Sequence, residues 1–207
     1  MRTNVVVPIK DFGCAKQRLS GLLSERQRRW LARQLAERTL RFFARWFPWL
    51  HVLVVTPSAE VAELASTLGV SVLREAGTDG LSAAVAQAAA WSAAHGFDSQ
   101  LVIPADIGRL DADEIAVLLR HPRPGPSVIL CAARDGGTNA LLTTPPAAIA
   151  FAFGERSSEA HRKAAQRRGI PCTVLCFPHL SIDIDTTRDL SYLRGRARVV
   201  LAEPIAS

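Results

Sequence analysis

The stretch "SIDIDTT" places Asp183 and Asp185 on either side of one isoleucine, and "VIPAD" ends an apolar run in Asp106. On an extended segment, residues two apart point to the same side. Two carboxylates held that close cannot both stay ionised cheaply without a counter-charge. Mg²⁺ is a natural one, since it takes oxygen ligands and is usually held by one or two carboxylates plus substrate phosphates. The competing reading is capping, with Asp185 or Thr186 at the start of a closing helix and Asp106 capping a turn.

A second group of chemically able residues follows the first apolar run. "PIKDFGCAKQRLSG" carries Lys10, Lys16 and Arg18, three cations suited to a triphosphate through charge-assisted hydrogen bonds. It lacks both G-x-G-x-x-G and G-x-x-x-x-G-K-[ST], which argues against a dinucleotide site or a P-loop. A third group, "FGERSSEAH", sets Gly154 ahead of Ser157 and Ser158 at a helix start, where backbone amides attract anions, with Thr138 of "GGTN" able to add a hydroxyl. A basic surface loop and a simple serine cap are the competing readings of these two groups. No Ser-His-Asp or Cys-His arrangement stands out, and phosphoryl or nucleotidyl transfer to an anionic acceptor needs none.

These residues need a scaffold that brings them together. Short β-branched runs alternate with amphipathic or alanine-rich segments along the chain. We read strand "NVVVPI", a helix from Ser24 to about Trp46, strand "HVLVVT", helix "SAEVAELASTLG", strand "VSVLRE", helix "DGLSAAVAQAAAWSAAHG" and strand "QLVIPAD". Helix "DADEIAVLLRH" opens with Asp111 and Glu114 as an Asp-led capping box. Strand "SVILCAA" follows, then an elaboration with turns and short strand-like pieces, the basic helix "SSEAHRKAAQRRG", strand "CTVLCF" and a last short helix after Thr186. Such alternation predicts an α/β fold with a mostly parallel sheet covered by helices on both faces. Ligands in such sheets gather at the carboxyl ends of the strands, which directs attention to the loops after Ile9, Thr56, Glu75 and Pro104. No linker or repeat appears, so residues 1–207 are expected to form one domain.

Bulk properties narrow the function. The chain is 48% hydrophobic and 21% charged, the balance of an ordinary globular protein, and its net charge of +6 suits an anionic partner. The arginines of "SERQRRWLARQLAERTLRFFARW" read as a solvated helix face; that helix permits a homodimer without demanding one. No segment approaches the roughly 18 apolar residues of a membrane span, and the expected location is the cytoplasm. The four cysteines are scattered, with Cys172 and Cys176 read as buried small hydrophobes on one face of a strand.

In order along the chain, "VPIKDFGCAKQRL", "DGLSAAV", "IPAD", "GGTNALL", "FAFGERSSEAH" and "DIDT" resemble the phospholactate guanylyltransferase family of coenzyme F420 biosynthesis, from about Val5 to Leu190. The resemblance implies a Rossmann-like, GT-A-type nucleotidyltransferase sandwich. It also implies transfer of GMP from GTP to the phosphate of 2-phospho-L-lactate, phosphoenolpyruvate or 3-phospho-D-glycerate, with release of pyrophosphate. Carried over by motif, Asp106, Asp183 and Asp185 hold Mg²⁺. Lys10, Lys16 and Arg18 meet the triphosphate, with Lys16 and Arg18 catalytic, and Gly80 and Ser82 contact the nucleotide. Thr138, Gly154 and Ser157 hold the acceptor phosphate. Ser82 stands where the family motif has asparagine. Two rival readings compete: a molybdopterin- or sugar-phosphate-type nucleotidyltransferase, whose first loop is usually glycine-rich and ends in arginine, and a nucleic-acid-binding surface, which leaves the carboxylates without a purpose. The expected partners are therefore GTP and a small phosphorylated acid, with neither nucleic acid nor membrane.

Overall fold

In a computed structural model of the chain, residues 1–75, 80–122, 125–186 and 189–190 are described. Their strands are β1 Thr3–Pro8, β2 His51–Thr56, β3 Ser71–Arg74, β4 Ser99–Val102, β5 Ser127–Ala132, β6 Thr138–Thr144 and β7 Cys172–Leu175. The helices are α1 Glu25–Trp46, α2 Ala59–Thr67, α3 Leu81–Ala94, α4 Ala112–Arg120 and α5 Ser157–Arg167. One sheet runs β3-β2-β1-β4-β6-β5-β7. Every neighbouring pair is parallel except those of β6, which lies antiparallel between β4 and β5.

Alternate residues of the same strands feed two separate cores. Val5, Val7, Val54, Leu101 and Ile129 pack with α1, α2 and α4 on one face. Val6, Leu53, Val55, Val102 and Leu130 pack with α3 and α5 on the other. Strands covered on both faces must be apolar on both, which explains runs such as "NVVVPI" that do not alternate. A third, smaller core joins Leu19, Leu23, Leu31 and Leu35 to Ile184, the isoleucine between the two aspartates.

α1 buries Leu31, Ala32, Leu35, Ala36, Thr39, Leu40 and Phe43 along one helical stripe and starts at Ser24, whose hydroxyl and Gln27 form a reciprocal cap. Most of its arginines face outward, as expected, in ion pairs such as Arg29 and Arg33 with Glu60. Arg38 departs from that pattern and donates to the carbonyls of Ile107 and Gly108.

Three further expectations need correction. The stretch read as an elaboration contains β6, a fully buried central strand, because the Arg134–Gly137 turn folds it straight back onto β5. The capping box at Asp111 is only half made: Asp111 accepts from the Asp113 and Glu114 amides, while the Glu114 carboxylate turns inward to other partners. Cys172 is half-buried and Cys176 exposed, since β7 is an edge strand, whereas Cys131 in β5 is the buried thiol, pushed up to about 11 chiefly by burial. Of the expected closing helix only Asp189 and Leu190 lie among the described residues; "RGRARVV" lies outside them.

Candidate active site

The first loop leaves β1 at the carboxyl edge of the sheet and is held by its own side chains. Asp11 accepts from the Gly13 amide at 2.8 Å and from the Ser58 hydroxyl at 2.9 Å, tying the loop to the start of α2. Those two hydrogen bonds hold its carboxyl below the ordinary range. Phe12 is buried in the larger core. Lys16 then adopts a left-handed backbone, φ 56°, a conformation that costs a non-glycine residue about 1 kcal/mol or more. The turn it makes seats Leu19 in the small core beside Ile184.

The segment carrying Asp183 and Asp185 returns from β7 and pairs briefly with the loop after β4. Ile107 and Asp183 form an antiparallel bridge, with the Gly108 amide donating to Ile182 at 2.8 Å and the Ile184 amide to Asp106 at 3.0 Å. Gly108 permits this approach, because a Cβ there would stand 3.0 Å from Ile184 Cδ1. With Ile184 turned into the core, Asp183 and Asp185 face away from it. One oxygen from each of Asp106, Asp183 and Asp185 then lies within 4.8 Å of the others.

Lys16 Nζ enters this cluster, 2.6 Å from Asp106 Oδ2 and 3.0 Å from Asp185 Oδ1, and Arg18 Nη1 lies 3.3 Å from Asp185 Oδ2. Burial works against the charge on Lys16, yet the two carboxylates outweigh it and hold its pKa above the ordinary value. Asp183 accepts from the Asn139 side-chain amide at 3.4 Å. Burial first, then the charges of Asp106 and Asp185, push it up to about 6. Three carboxylates against Lys16 and a mostly exposed Arg18, with Asp183 pushed up by burial and then by the other two acids, is a donor set that suits a divalent cation with hard oxygen ligands.

Residues outside the expected site brace this arrangement. Arg38 and Thr39 of α1 donate to the carbonyls of Ala105, Ile107 and Gly108, holding the loop that carries Asp106. Glu114 of α4 accepts from the amides of His179 and Leu180, at 3.0 and 2.8 Å, and holds the turn that leads into Asp183. Arg38 had no signal beyond its helical spacing; Glu114 had one, a carboxylate beside the apolar stripe of α4.

A cleft of ≈ 240 Å³ opens next to the cluster, lined by Lys10, Lys16, Asp106 and Asp185 among polar residues and by Leu81 and Ala84 of α3. The structure therefore brings Lys10, Lys16, Asp106 and Asp185 to one cleft, with Asp183 in the acidic cluster beside it, while Arg18 reaches the cluster with a mostly exposed side chain. Gly80 caps α3 with φ 87°, a geometry that favours glycine. The Ser82 hydroxyl accepts from the Phe153 amide at 2.9 Å.

Thr138 and Ser157 are buried with their hydroxyls 2.9 Å apart, and Thr138 also lies 3.1 Å from His161 Nδ1. Gly154 has φ 138° and open space where a side chain would be. The amides expected to form an anion site at the start of α5 already have carbonyl partners: Ser157 donates to Gly154 and Ser158 to Gly136. The next residue along β6, Asn139, donates to Asp183 of the acidic cluster.

Comparison with known proteins agrees with this geometry. The sequence profile described as "Guanylyl transferase CofC like" matches residues 3–196. The chain is 52% identical, over 93% of its length and 91% of the relative's, to a 3-phospho-D-glycerate guanylyltransferase of Colwellia psychrerythraea. It is 35% identical, over 96% of its length and 97% of the relative's, to a phosphoenolpyruvate guanylyltransferase of Rubrobacter xylanophilus. Its fold matches a solved protein of Desulfovibrio desulfuricans G20 described as a nucleotide-diphospho-sugar transferase, with a TM-score of 0.71 at 16% identity, covering 100% of this chain and 92% of that one. With a family profile matching residues 3–196 and relatives 52% and 35% identical over nearly the whole chain, the chain belongs to the CofC-like guanylyl transferase family and is a nucleotidyltransferase.

Proposed function

We propose that this protein transfers GMP from GTP to the phosphate of a small phosphorylated three-carbon acid in coenzyme F420 biosynthesis, with Mg²⁺ held by Asp106, Asp183 and Asp185. The observation that carries this reading is the convergence of those three carboxylates with Lys16 at the mouth of a cleft. When bound there, Mg²⁺ supplies charge neutralisation to the nucleotide phosphates. Lys10, Lys16 and Arg18 meet the triphosphate, and Gly80 lets α3 begin beside the nucleotide. Thr138, Gly154 and Ser157 receive the acceptor.

An oxygen of the acceptor phosphate attacks the α-phosphorus of GTP as the bond to the β-phosphate oxygen breaks and pyrophosphate leaves. The product is a diphosphate linking guanosine to the acid. The attacking oxygen is already anionic, so no general base is required, and the charge that grows on pyrophosphate falls to the cations of the first loop. Among acceptors, 3-phospho-D-glycerate comes first, because the 52% identical relative carries that name.

The test is incubation with GTP, Mg²⁺ and 3-phospho-D-glycerate, phosphoenolpyruvate or 2-phospho-L-lactate in turn, with product identification by mass. One guanylylated acid is expected. Asp106→Ala and Asp183→Asn should keep the wild-type circular dichroism spectrum and lose pyrophosphate release. Turnover retained in both variants overturns the metal assignment, and no guanylylated product with any of the three acids overturns the reaction.

A further inference from the structure

We propose that His161 is a positioning residue for the acceptor: its fixed tautomer leaves the buried Thr138–Ser157 hydroxyl pair with one spare proton, which is donated to an anionic oxygen of the phosphorylated acid. The inference rests on the acceptor site proposed above and identifies what gives that site its preference for an anion.

His161 is fully buried in α5, with both ring nitrogens engaged. The Ala152 amide lies 3.0 Å from Nε2. A backbone N–H can only donate, so Nε2 is the unprotonated nitrogen and a neutral ring carries its proton on Nδ1. Burial pushes the imidazole down to about 4, so the ring is neutral near pH 7. Nδ1–H therefore donates to Thr138 Oγ1 at 3.1 Å.

Four donor protons now meet three links. The donors are Ala152 N–H, His161 Nδ1–H and the two hydroxyls; the links are Ala152 to His161, His161 to Thr138, and Thr138 with Ser157 at 2.9 Å. One hydroxyl proton is left over, whichever way the last link runs, and the described residues offer it no acceptor. With the opposite tautomer both hydroxyl protons would be used, Thr138 donating to Nδ1 and Ser157 to Thr138, but the Ala152 N–H would face the Nε2 proton and neither would have an acceptor. A buried donor without a partner is costly, and a charged oxygen is the partner that satisfies it best. Its place fits, since Thr138 adjoins Asn139, whose amide reaches Asp183 of the acidic cluster.

The first test uses the unaltered protein. Nitrogen-15 NMR of the histidine-labelled chain, with His161 assigned from the spectrum of His161→Gln, is expected to show Nδ1 protonated and Nε2 bare. The Nε2–H tautomer overturns the proposal. Kinetics supply the second test, with 3-phospho-D-glycerate as acceptor, or whichever of the three acids is turned over. His161→Gln keeps an acceptor for the Ala152 amide and adds none beside Thr138, so it should raise the acceptor KM several-fold less than His161→Asp does. His161→Asp puts an acceptor beside Thr138 that absorbs the spare proton, and the acceptor KM should rise roughly tenfold or more while the KM for GTP holds. Equal effects of the two variants, or a parallel change in both KM values, mark a merely structural histidine and overturn the proposal. If His161→Asp does not fold, the tautomer measurement alone decides. The double variant Thr138→Val/Ser157→Ala separates the two levels: an unchanged acceptor KM removes the acceptor site itself. A raised acceptor KM there, with the wrong tautomer at His161, removes only the role given to His161.

Discussion

Replacing Glu114 with alanine removes the clamp on the turn that leads into Asp183. Its carboxylate accepts from the His179 and Leu180 amides at 3.0 and 2.8 Å and lies 2.9 Å from His179 Nδ1. Leu180 is buried, so its amide would lose its partner where water does not easily replace it. At roughly 1.5–3 kcal/mol for each hydrogen bond to a charged acceptor, the two backbone bonds make the loss about 4 kcal/mol. For a chain of this size each kcal/mol moves the melting point by about 2–4 °C, so a fall of roughly 12 °C is expected. The same change frees a segment whose third and fifth residues after Leu180 are Asp183 and Asp185, and loss of such a support typically weakens metal binding by about 10–100-fold. Differential scanning calorimetry without metal and a Mg²⁺ titration of pyrophosphate release measure the two effects. Glu114→Gln, which keeps one acceptor oxygen, should fall between alanine and wild type. A melting point within about 3 °C of wild type together with an unchanged Mg²⁺ requirement refutes the clamp.

Lys16→Met removes the cation between Asp106 and Asp185. Breaking a buried pair costs about 3–5 kcal/mol, and the one-third exposure of both carboxylates lowers this to about 2 kcal/mol. The loss, read from urea unfolding, should shrink when Mg²⁺ is added, because another cation then meets the same oxygens; an equal loss with and without Mg²⁺ argues against a shared site. His161 makes stability depend on pH. Its folded pKa, about 4, lies below the ordinary 6.5, so the unfolded chain binds the extra proton first and stability falls as pH drops from 6.5 towards 4, by roughly 3 kcal/mol at pH 4. Urea unfolding of wild type and His161→Gln across that window isolates this contribution from the carboxylates. Parallel curves for the two proteins would show that His161 does not titrate in that way.

Much of this molecule is determined by local pattern. The runs "NVVVPI" and "HVLVVT" can only be strands buried on both faces, and the stripe from Leu31 to Phe43 can only be a helix with one face in the core. The spacing of Asp183 and Asp185 about Ile184 already sets two carboxylates to one side and an apolar side chain to the other, because strand periodicity is a property of the backbone. Tertiary structure alone decided what lies between those carboxylates and what holds them there. Lys16, 90 positions before Asp106, reaches it through a left-handed turn that no propensity foretells. Arg38 reads as part of a solvated helix face and Glu114 as half of a capping box, yet both brace loops from elsewhere in the chain that lacked partners for their carbonyls and amides. The direction of β6 was equally hidden, since a short buried strand looks the same in either direction until its neighbours fix its hydrogen bonds. Periodicity acts over a few residues and is written in the sequence; a buried polar group takes its partner from wherever folding brings one.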